Sequence, residues 1–266
     1  MSLLAALGNL SRDVVSGAPP RPGGTVFYAG RALAHLRADA CLGASCAEAD
    51  RGLLVEPLSA LGLPFRWYPS QGTAAYRIRY LREGRRVLRQ EAIGDPWPPD
   101  RALEAAGEAA WVQVGALVRG DFPEPTLAAL AAGRTLLLDG QGLVRARTLG
   151  PLRLAGSSGG ELRHVRILKL DEEEAAALLG SADPARLPRL GVAEVLLTLG
   201  ERGAVVATAG RTYAEPAVAV AGRVDPTGAG DMFSAVYLAT RAEGGEPPEA
   251  LRRAAAVVAE LLAAAS

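Results

Sequence analysis

The stretch Asp225-Pro-Thr-Gly-Ala-Gly-Asp-Met-Phe233 sets two glycines and a carboxylate directly before a helix-forming run, Met232–Arg241. A helix start leaves about four backbone N–H groups without partners, and the helix dipole favours negative charge there. Gly228 and Gly230 carry no side chain that would keep an anion from those groups. Asp231 would then stand beside a bound anion, where a carboxylate is unfavourable unless it has a task. Taking the proton from a hydroxyl that attacks a phosphate is such a task. The plain structural alternative is a Gly-containing turn with an Asp in the first helical turn.

Four further strings follow apolar, strand-like runs. Leu196-Leu-Thr-Leu-Gly-Glu-Arg-Gly-Ala204 ends a strand at Gly200 and adds Gly203 after two polar residues. Ligands of open α/β sheets sit beyond the carboxyl ends of strands, although a tight turn also explains the glycines. In Lys169-Leu-Asp-Glu-Glu-Glu-Ala175, Asp171 and Glu174 have the spacing of a helix capping box. Near the N-terminus, Gly8-Asn-Leu-Ser-Arg-Asp13 follows the first strand, and the pair Gly23-Gly24 precedes a helical pattern. Asn9, Asp13 and these glycines could hydrogen-bond a polyol, while each singly suits an ordinary loop. In Leu138-Asp-Gly-Gln-Gly-Leu-Val-Arg145, Asp139 or Arg145 could face a cleft and Arg145 could meet phosphate charge. Solvated charges at a strand-end turn are the alternative.

The nine-residue string resembles the C-terminal signature of the ribokinase-like (PfkB) carbohydrate kinases, D-T-x-G-A-G-D-x-F, with Pro226 in place of Thr. The other strings are similar to further segments of that family, so the likeness runs from about Gly8 to the C-terminal helix. It implies an ATP-dependent kinase acting on a hydroxyl of a sugar, polyol or nucleoside. Asp231 would be the base, with the amides of Gly228, Ala229, Gly230 and Asp231 stabilising the moving phosphoryl group. Thr198, Gly200 and Gly203 would line the ATP side, joined by Asp171 and Thr227. Glu174 would act on Mg2+, with Asp171 standing where the family has Asn. Asn9, Asp13, Gly23, Gly24 and Tyr28 would hold the acceptor, Tyr28 replacing a frequent Asn and changing which hydroxyl pattern is read. Many relatives continue beyond the last helix and use that stretch for the adenine wall and a monovalent-cation site, so the resemblance leaves that cation open.

These residues need elements to hold them. Leu3–Leu7 reads as a buried strand, Pro19–Gly24 as a loop and Phe27–Leu36 as a helix. Trp111–Val114, Thr135–Leu138, Val165–Leu168 and Glu194–Leu199 read as strands. Pro125–Ala132, Glu172–Leu179 and the last seventeen residues read as helices. Such alternation predicts an α/β fold with a doubly wound, mostly parallel sheet. Ala204–Val220 reads as an antiparallel excursion turning at Gly210. Over Thr73–Glu91, Tyr76, Ile78 and Tyr80 alternate with Arg77 and Arg79, and Glu83-Gly84 offers a turn: a β-hairpin, and in the resemblance the lid of a single kinase domain spanning 1–266. A lone hairpin could not bury that apolar stripe, which could also pair two subunits into a homodimer.

Composition narrows the alternatives. Lys+Arg and Asp+Glu balance at 29 each, which removes any field-based case for nucleic-acid or acidic-membrane partners. No apolar window is long enough to span a membrane and the N-terminus lacks a basic, signal-like region, so a cytoplasmic protein is expected. Cys41 and Cys46 read as reduced thiols, since C-x4-C with two histidines assembles no zinc site. The only lysine is Lys169, so neither a Walker A loop nor a protein-kinase lysine motif exists. Gly156-Ser-Ser-Gly-Gly160 matches a nucleophile elbow around Ser158, but no histidine follows His164 to complete a hydrolase. A binding protein of the same fold without turnover is the non-enzymatic alternative; retention of Asp231 and both glycines argues against it.

Overall fold

The computed structural model describes residues 4–80, 86–156, 159–222 and 224–264. The expected turn at Glu83-Gly84 and Ser158 lie outside the described residues. In chain order the first half contains β1 (Leu4–Asn9), β2 (Ser11–Val15), β3 (Arg21–Gly23), α1 (Thr25–His35), β4 (Ala40–Ala47), α2 (Arg51–Ser59), β5 (Phe65–Ser70), β6 (Ala74–Tyr80), β7 (Arg86–Ala92) and α3 (Pro99–Ala106). The second half contains β8 (Trp111–Gly115), α4 (Glu124–Ala131), β9 (Thr135–Asp139), α5 (Gln141–Val144), β10 (Gly150–Pro151), β11 (Ile167–Asp171), α6 (Glu172–Leu179), β12 (Glu194–Thr198), β13 (Ala204–Thr208), β14 (Arg211–Glu215), α7 (Ala229–Ala242) and α8 (Pro247–Ala263).

Nine strands form the main sheet in the order β14-β13-β12-β11-β9-β8-β1-β4-β5. Strands β5 through β12 in that order run parallel, and β13 and β14 return antiparallel. The period-2 alternation of side chains sends successive residues to opposite layers. Leu4, Ala6, Leu137, Ile167 and Leu196 face a core shared with α1, α2, α7 and α8. Ala5, Leu7, Leu136, Leu138, Leu168 and Leu197 face a second core closed by α3, α4 and α6. Both faces are therefore covered, which is why these strands read as continuous apolar runs. The sheet is doubly wound as expected.

A second sheet, β10-β7-β6-β2-β3, packs on Leu117, just beyond the carboxyl end of β8. The hairpin expected over Thr73–Glu91 is its centre, but three more strands join it. Part of the stretch taken as a loop, Arg21–Gly23, is the edge strand β3. Tyr76 and Ile78 are buried against Leu117 inside the chain, with Tyr80 packed alongside. The apolar stripe therefore has cover within one subunit. The loop carrying Leu117 is braced by Asp121, which accepts from the N–H groups of Leu117 (2.9 Å) and Val118 (3.2 Å) and pairs with Arg147 at 2.7 Å. Among the described residues no helix is long and apolar enough to cross a membrane.

Candidate active site

From β1 the chain moves one way, to β4 and β5; from β8 it moves the other way, to β9, β11 and β12. Such a reversal opens a crevice beyond the carboxyl ends of the two central strands. Two helix starts converge there. α1 begins at Thr25, packed so closely on β8 that a Cβ on Gly115 would lie 2.5 Å from the Thr25 Cβ. α7 begins after Gly228, whose φ of 80° is left-handed. A side chain at Gly228 would also strike Tyr28, since a Cβ there would lie 2.1 Å from the ring. The glycine is required twice, by backbone and by Tyr28, and Tyr28 thus packs on the anion loop.

Asp231 is clamped at this junction. Its Oδ1 accepts from the Thr25 hydroxyl at 2.8 Å, and its carbonyl accepts from Gln113 Nε2 on β8 at 3.3 Å. The N–H of Ala229 is spent on the Pro226 carbonyl, 3.1 Å away, whereas those of Gly228, Gly230 and Asp231 have no partner among the described residues. The anion cradle is therefore narrower than expected by one amide. Burial, reinforced by the charge of Asp139 and opposed by Lys169 and Thr25, raises the pKa of Asp231 above the usual carboxylate range.

Beside this loop lies a buried group of charges from the ends of neighbouring strands. Lys169 Nζ is 3.3 Å from Asp139 Oδ2 and 3.8 Å from Glu174 Oε2, and Arg145 leans on Glu174 Oε1 at 3.7 Å. A Cβ on Gly230 would lie 3.2 Å from Lys169 Nζ, so the ammonium sits directly beneath the cradle. Burial alone would discharge Lys169, but Asp139, Glu174 and Asp171 outweigh it and hold its pKa above the usual lysine value. Burial, opposed first by Lys169, raises that of Glu174.

Asp171 and Glu174 form the capping box that their spacing predicts: Asp171 Oδ1 accepts from the Glu174 N–H at 2.8 Å, and Glu174 Oε2 from the Asp171 N–H at 2.9 Å. Capping uses one oxygen of each. Asp139 Oδ2 and Glu174 Oε1 are buried without a hydrogen bond. Each of these oxygens faces a cation, Lys169 at 3.3 Å and Arg145 at 3.7 Å, and as hard carboxylate ligands beside a phosphate cradle they fit Mg2+, which keeps several waters and binds through one or two carboxylates plus substrate phosphates. An all-protein cage of three or more His, Cys, Asp or Glu is absent among the described residues.

The second sheet carries a polar row of its own. Asp13, Tyr76 and Gln90 are register partners across β2, β6 and β7. Asp13 Oδ1 accepts from Ser11 at 2.8 Å, and a Cβ on Gly23 would lie 2.1 Å from Asp13 Oδ2, which shows why glycine stands there. The Tyr76 hydroxyl and both amide atoms of Gln90 are buried with no partner. Burial pushes the Asp13 carboxyl up to about 6, against the Ser11 hydrogen bond and the Arg21 charge.

Several expected residues have local duties instead. The Asn9 amide donates to the Asp95 carbonyl (3.0 Å) and accepts from Trp97 Nε1 (2.9 Å), so it braces the loop after β7 rather than offering itself to a ligand. Gly24, with φ 94°, lets the chain pass Asn9 closely: a Cβ would lie 2.4 Å from the Asn9 carbonyl oxygen. The Thr198 hydroxyl donates to the Leu170 carbonyl at 3.2 Å. Gly203, φ 97°, is explained by packing, since a Cβ would lie 2.1 Å from the Glu215 carbonyl. Gly200 faces open space at the end of β12. Thr227 donates to Asp225 at 2.6 Å and is met by Tyr80. Thr25, Gln113, Gln90 and the placement of Lys169 escaped the sequence reading. Only Lys169 carried a signal, a lone charge inside the apolar run Ile167–Leu170.

Comparison with known proteins agrees with this geometry. Residues 99–264 match the pfkB family carbohydrate kinase. A 2-dehydro-3-deoxygluconokinase of Thermoproteus tenax is 37% identical over 99 residues, 36% of this chain and 30% of that enzyme's length. The chain therefore matches well under two thirds of that curated relative. The fold is similar to a pyrophosphate-dependent kinase in the ribokinase family complexed with a pyrophosphate analog and myo-inositol, at TM-score 0.87, 23% identity, and coverage of 97% and 94% of the two chains. It is also similar to Arabidopsis thaliana ribokinase complexed with ribose and ATP, at TM-score 0.75, 21% identity, and coverage of 98% and 93%. With the match covering most of the chain and the glycine-flanked Asp231 seated where the sheet reverses, the protein belongs to the pfkB family of carbohydrate kinases.

Proposed function

We propose that this protein moves the γ-phosphoryl group of ATP to a hydroxyl of a small, uncharged sugar or polyol. The observation that carries the reading is the position of Asp231. Its carboxylate stands at the sheet reversal beside free amides, and the second sheet of the same chain buries the unpaired polar atoms of Tyr76 and Gln90.

The acceptor lies against Asp13, Tyr76 and Gln90, and a polyol satisfies the unmet hydrogen-bonding capacity of the latter two. An unpartnered buried polar group costs about 1–3 kcal/mol, so a ligand that pairs with it recovers that amount. A phosphate on the acceptor would need a free cation. Arg21 is held by Asp225 and Arg147 by Asp121, while Arg145 leans on Glu174 at 3.7 Å and lies within electrostatic reach of Asp13 and Tyr76, so of these three it is the cation a charged acceptor would meet. Asp231 takes the attacking hydroxyl's proton. Its raised pKa makes it a stronger base than an exposed Asp while leaving it ionised at neutral pH. The amides of Gly228, Gly230 and Asp231 stabilise charge on the transferring group, typically about 3 kcal/mol per donor. Lys169 adds positive charge from below. Glu174 and Asp139 would hold Mg2+, which when bound neutralises phosphate charge. Thr198, Gly200 and Thr227 lie along the donor side, and the second sheet covers the acceptor and keeps water from competing.

The test is a turnover assay of the purified chain with Mg2+, crossing ATP and pyrophosphate with myo-inositol, ribose, a nucleoside and fructose 6-phosphate. ATP-dependent product from an uncharged polyol or sugar is expected. Preference for fructose 6-phosphate would overturn the acceptor assignment, and preference for pyrophosphate the donor assignment. No acceptor-dependent product with any pair would overturn the kinase reading.

A further inference from the structure

We propose that Tyr80 and Arg21 form a latch that ties the five-stranded sheet to the loop before Gly228, so that the anion-binding amides take their working positions only when the sheet covers the acceptor. The proposal rests on the kinase reading and assigns two positioning residues to it. Both arms come from the second sheet, Arg21 from its edge strand β3 and Tyr80 from the end of β6. Both reach the same short target on the other side of the cleft.

The contacts form a directed relay. The Thr227 hydroxyl donates its only hydrogen to Asp225 Oδ1 at 2.6 Å. Tyr80 is therefore the donor in the 2.8 Å contact with the Thr227 oxygen, and it lies 3.5 Å from Asp225 Oδ1 as well. The Thr227 N–H donates to the same carboxylate oxygen at 3.0 Å. Arg21 takes the second oxygen, Oδ2, at 2.6 Å. Burial would raise the pKa of Asp225, but the Thr227 hydrogen bonds and Arg21 outweigh it and hold the group below its usual value. Asp225 thus stays charged through the working range, and both of its oxygens are engaged.

The target matters because the anion loop begins directly after it. Pro226 supplies the carbonyl that takes the Ala229 N–H at 3.1 Å, and Gly228 then turns left-handed into α7. A rotation of the Asp225–Thr227 turn re-aims the amides of Gly228, Gly230 and Asp231 together. As a stability device the latch is weak: Arg21 and Asp225 side chains remain 38% and 40% accessible, and half-exposed ion pairs add little. Its effect is geometric. A misplacement of about 1 Å at a reacting centre can cost about a hundredfold in rate.

Three variants test this in the full chain: Tyr80→Phe, Arg21→Gln and Arg21→Lys. In the first two, kcat should fall at least about tenfold, acceptor KM should rise, and ATP hydrolysis without acceptor should grow relative to transfer. Arg21→Lys, which keeps the charge, should recover most of the rate. Melting temperatures should stay near the parent value. Hydrogen exchange supplies a readout independent of turnover: amides 227–231 of unliganded Tyr80→Phe should exchange faster than in the parent. Unchanged exchange there, or kcat and KM within twofold of the parent in both loss variants, would overturn the latch. Absence of turnover in the parent itself would overturn the kinase reading and leave the exchange experiment to decide the latch.

Discussion

Replacing Asp231 by Asn removes the base while leaving the hydrogen-bonding geometry of the site in place. The substitution keeps side-chain size, and an Asn Oδ1 can still accept from Thr25, now 2.8 Å away. The Gln113 contact is to the Asp231 backbone carbonyl and is untouched. The amides of Gly228, Gly230 and residue 231 keep their aim, and Lys169 keeps its carboxylate partners Asp139 and Glu174. Basicity is lost, together with one negative charge felt by Lys169. A positioned base contributes about 10²–10⁴-fold, so kcat should drop by at least about a hundredfold, roughly 3 kcal/mol of transition-state stabilisation. Acceptor KM and donor affinity should change little. Stability supplies a second, signed check. Because the folded state raises the pKa of Asp231, the native protein binds this proton more tightly than the unfolded chain does. Stability is then lost as pH rises from the ordinary carboxylate value through the raised one. The Asn variant lacks that loss, so its melting temperature relative to the parent should rise between acid and neutral pH. Steady-state kinetics and a paired pH–melting series measure both effects. Retention of more than about a tenth of parental turnover on the best acceptor would refute the assignment of the base.

The same geometry sets further outcomes. Glu174→Gln keeps the cap, since an amide oxygen still accepts from the Asp171 N–H, but it removes a charge; the variant should need more Mg2+ for half-maximal rate with little change in melting temperature, and early melting with normal magnesium demand would assign Glu174 to capping alone. Gln90→Ala and Asp13→Ala should each raise acceptor KM while calorimetric ATP affinity stays near the parent's, and equal loss of both affinities would remove them from the acceptor site. Gly228→Ala should destabilise the chain by at least about 1–2 kcal/mol in denaturant melts from the left-handed backbone alone, and Tyr28→Ala, which clears the ring a Cβ would strike, should recover only part of that cost. The kcat–pH profile should fall on the acid side with a midpoint above the ordinary Asp value, because Asp231 must be ionised to act and its pKa is raised.

The motif around Asp231, the capping box at Asp171 and Glu174, and the alternation of apolar runs with helices were legible in the chain because each rests on local rules. A helix start exposes amides wherever glycines lead into it; an Asp three residues before a Glu caps; an apolar run covered on both faces reads as a parallel strand. The strand β4 was not legible. Ala40-Cys-Leu-Gly-Ala-Ser-Cys-Ala47 has no β-branched residue and little strand preference of its own, and it is a strand because β1 and β5 pair with it on either side. The polar row Asp13, Tyr76 and Gln90 was invisible for the same reason, since its members come from three strands and meet only through pairing register. Tyr76 read as one element of an apolar stripe, and only the docking of the second sheet on Leu117 turned that stripe inward and left its hydroxyl buried and unpaired. Local sequence determined the groups that could do chemistry on phosphate. Tertiary structure decided which of them face one another, because burial and cross-strand register are properties of segments distant in the chain, and a residue's neighbours in sequence do not encode them.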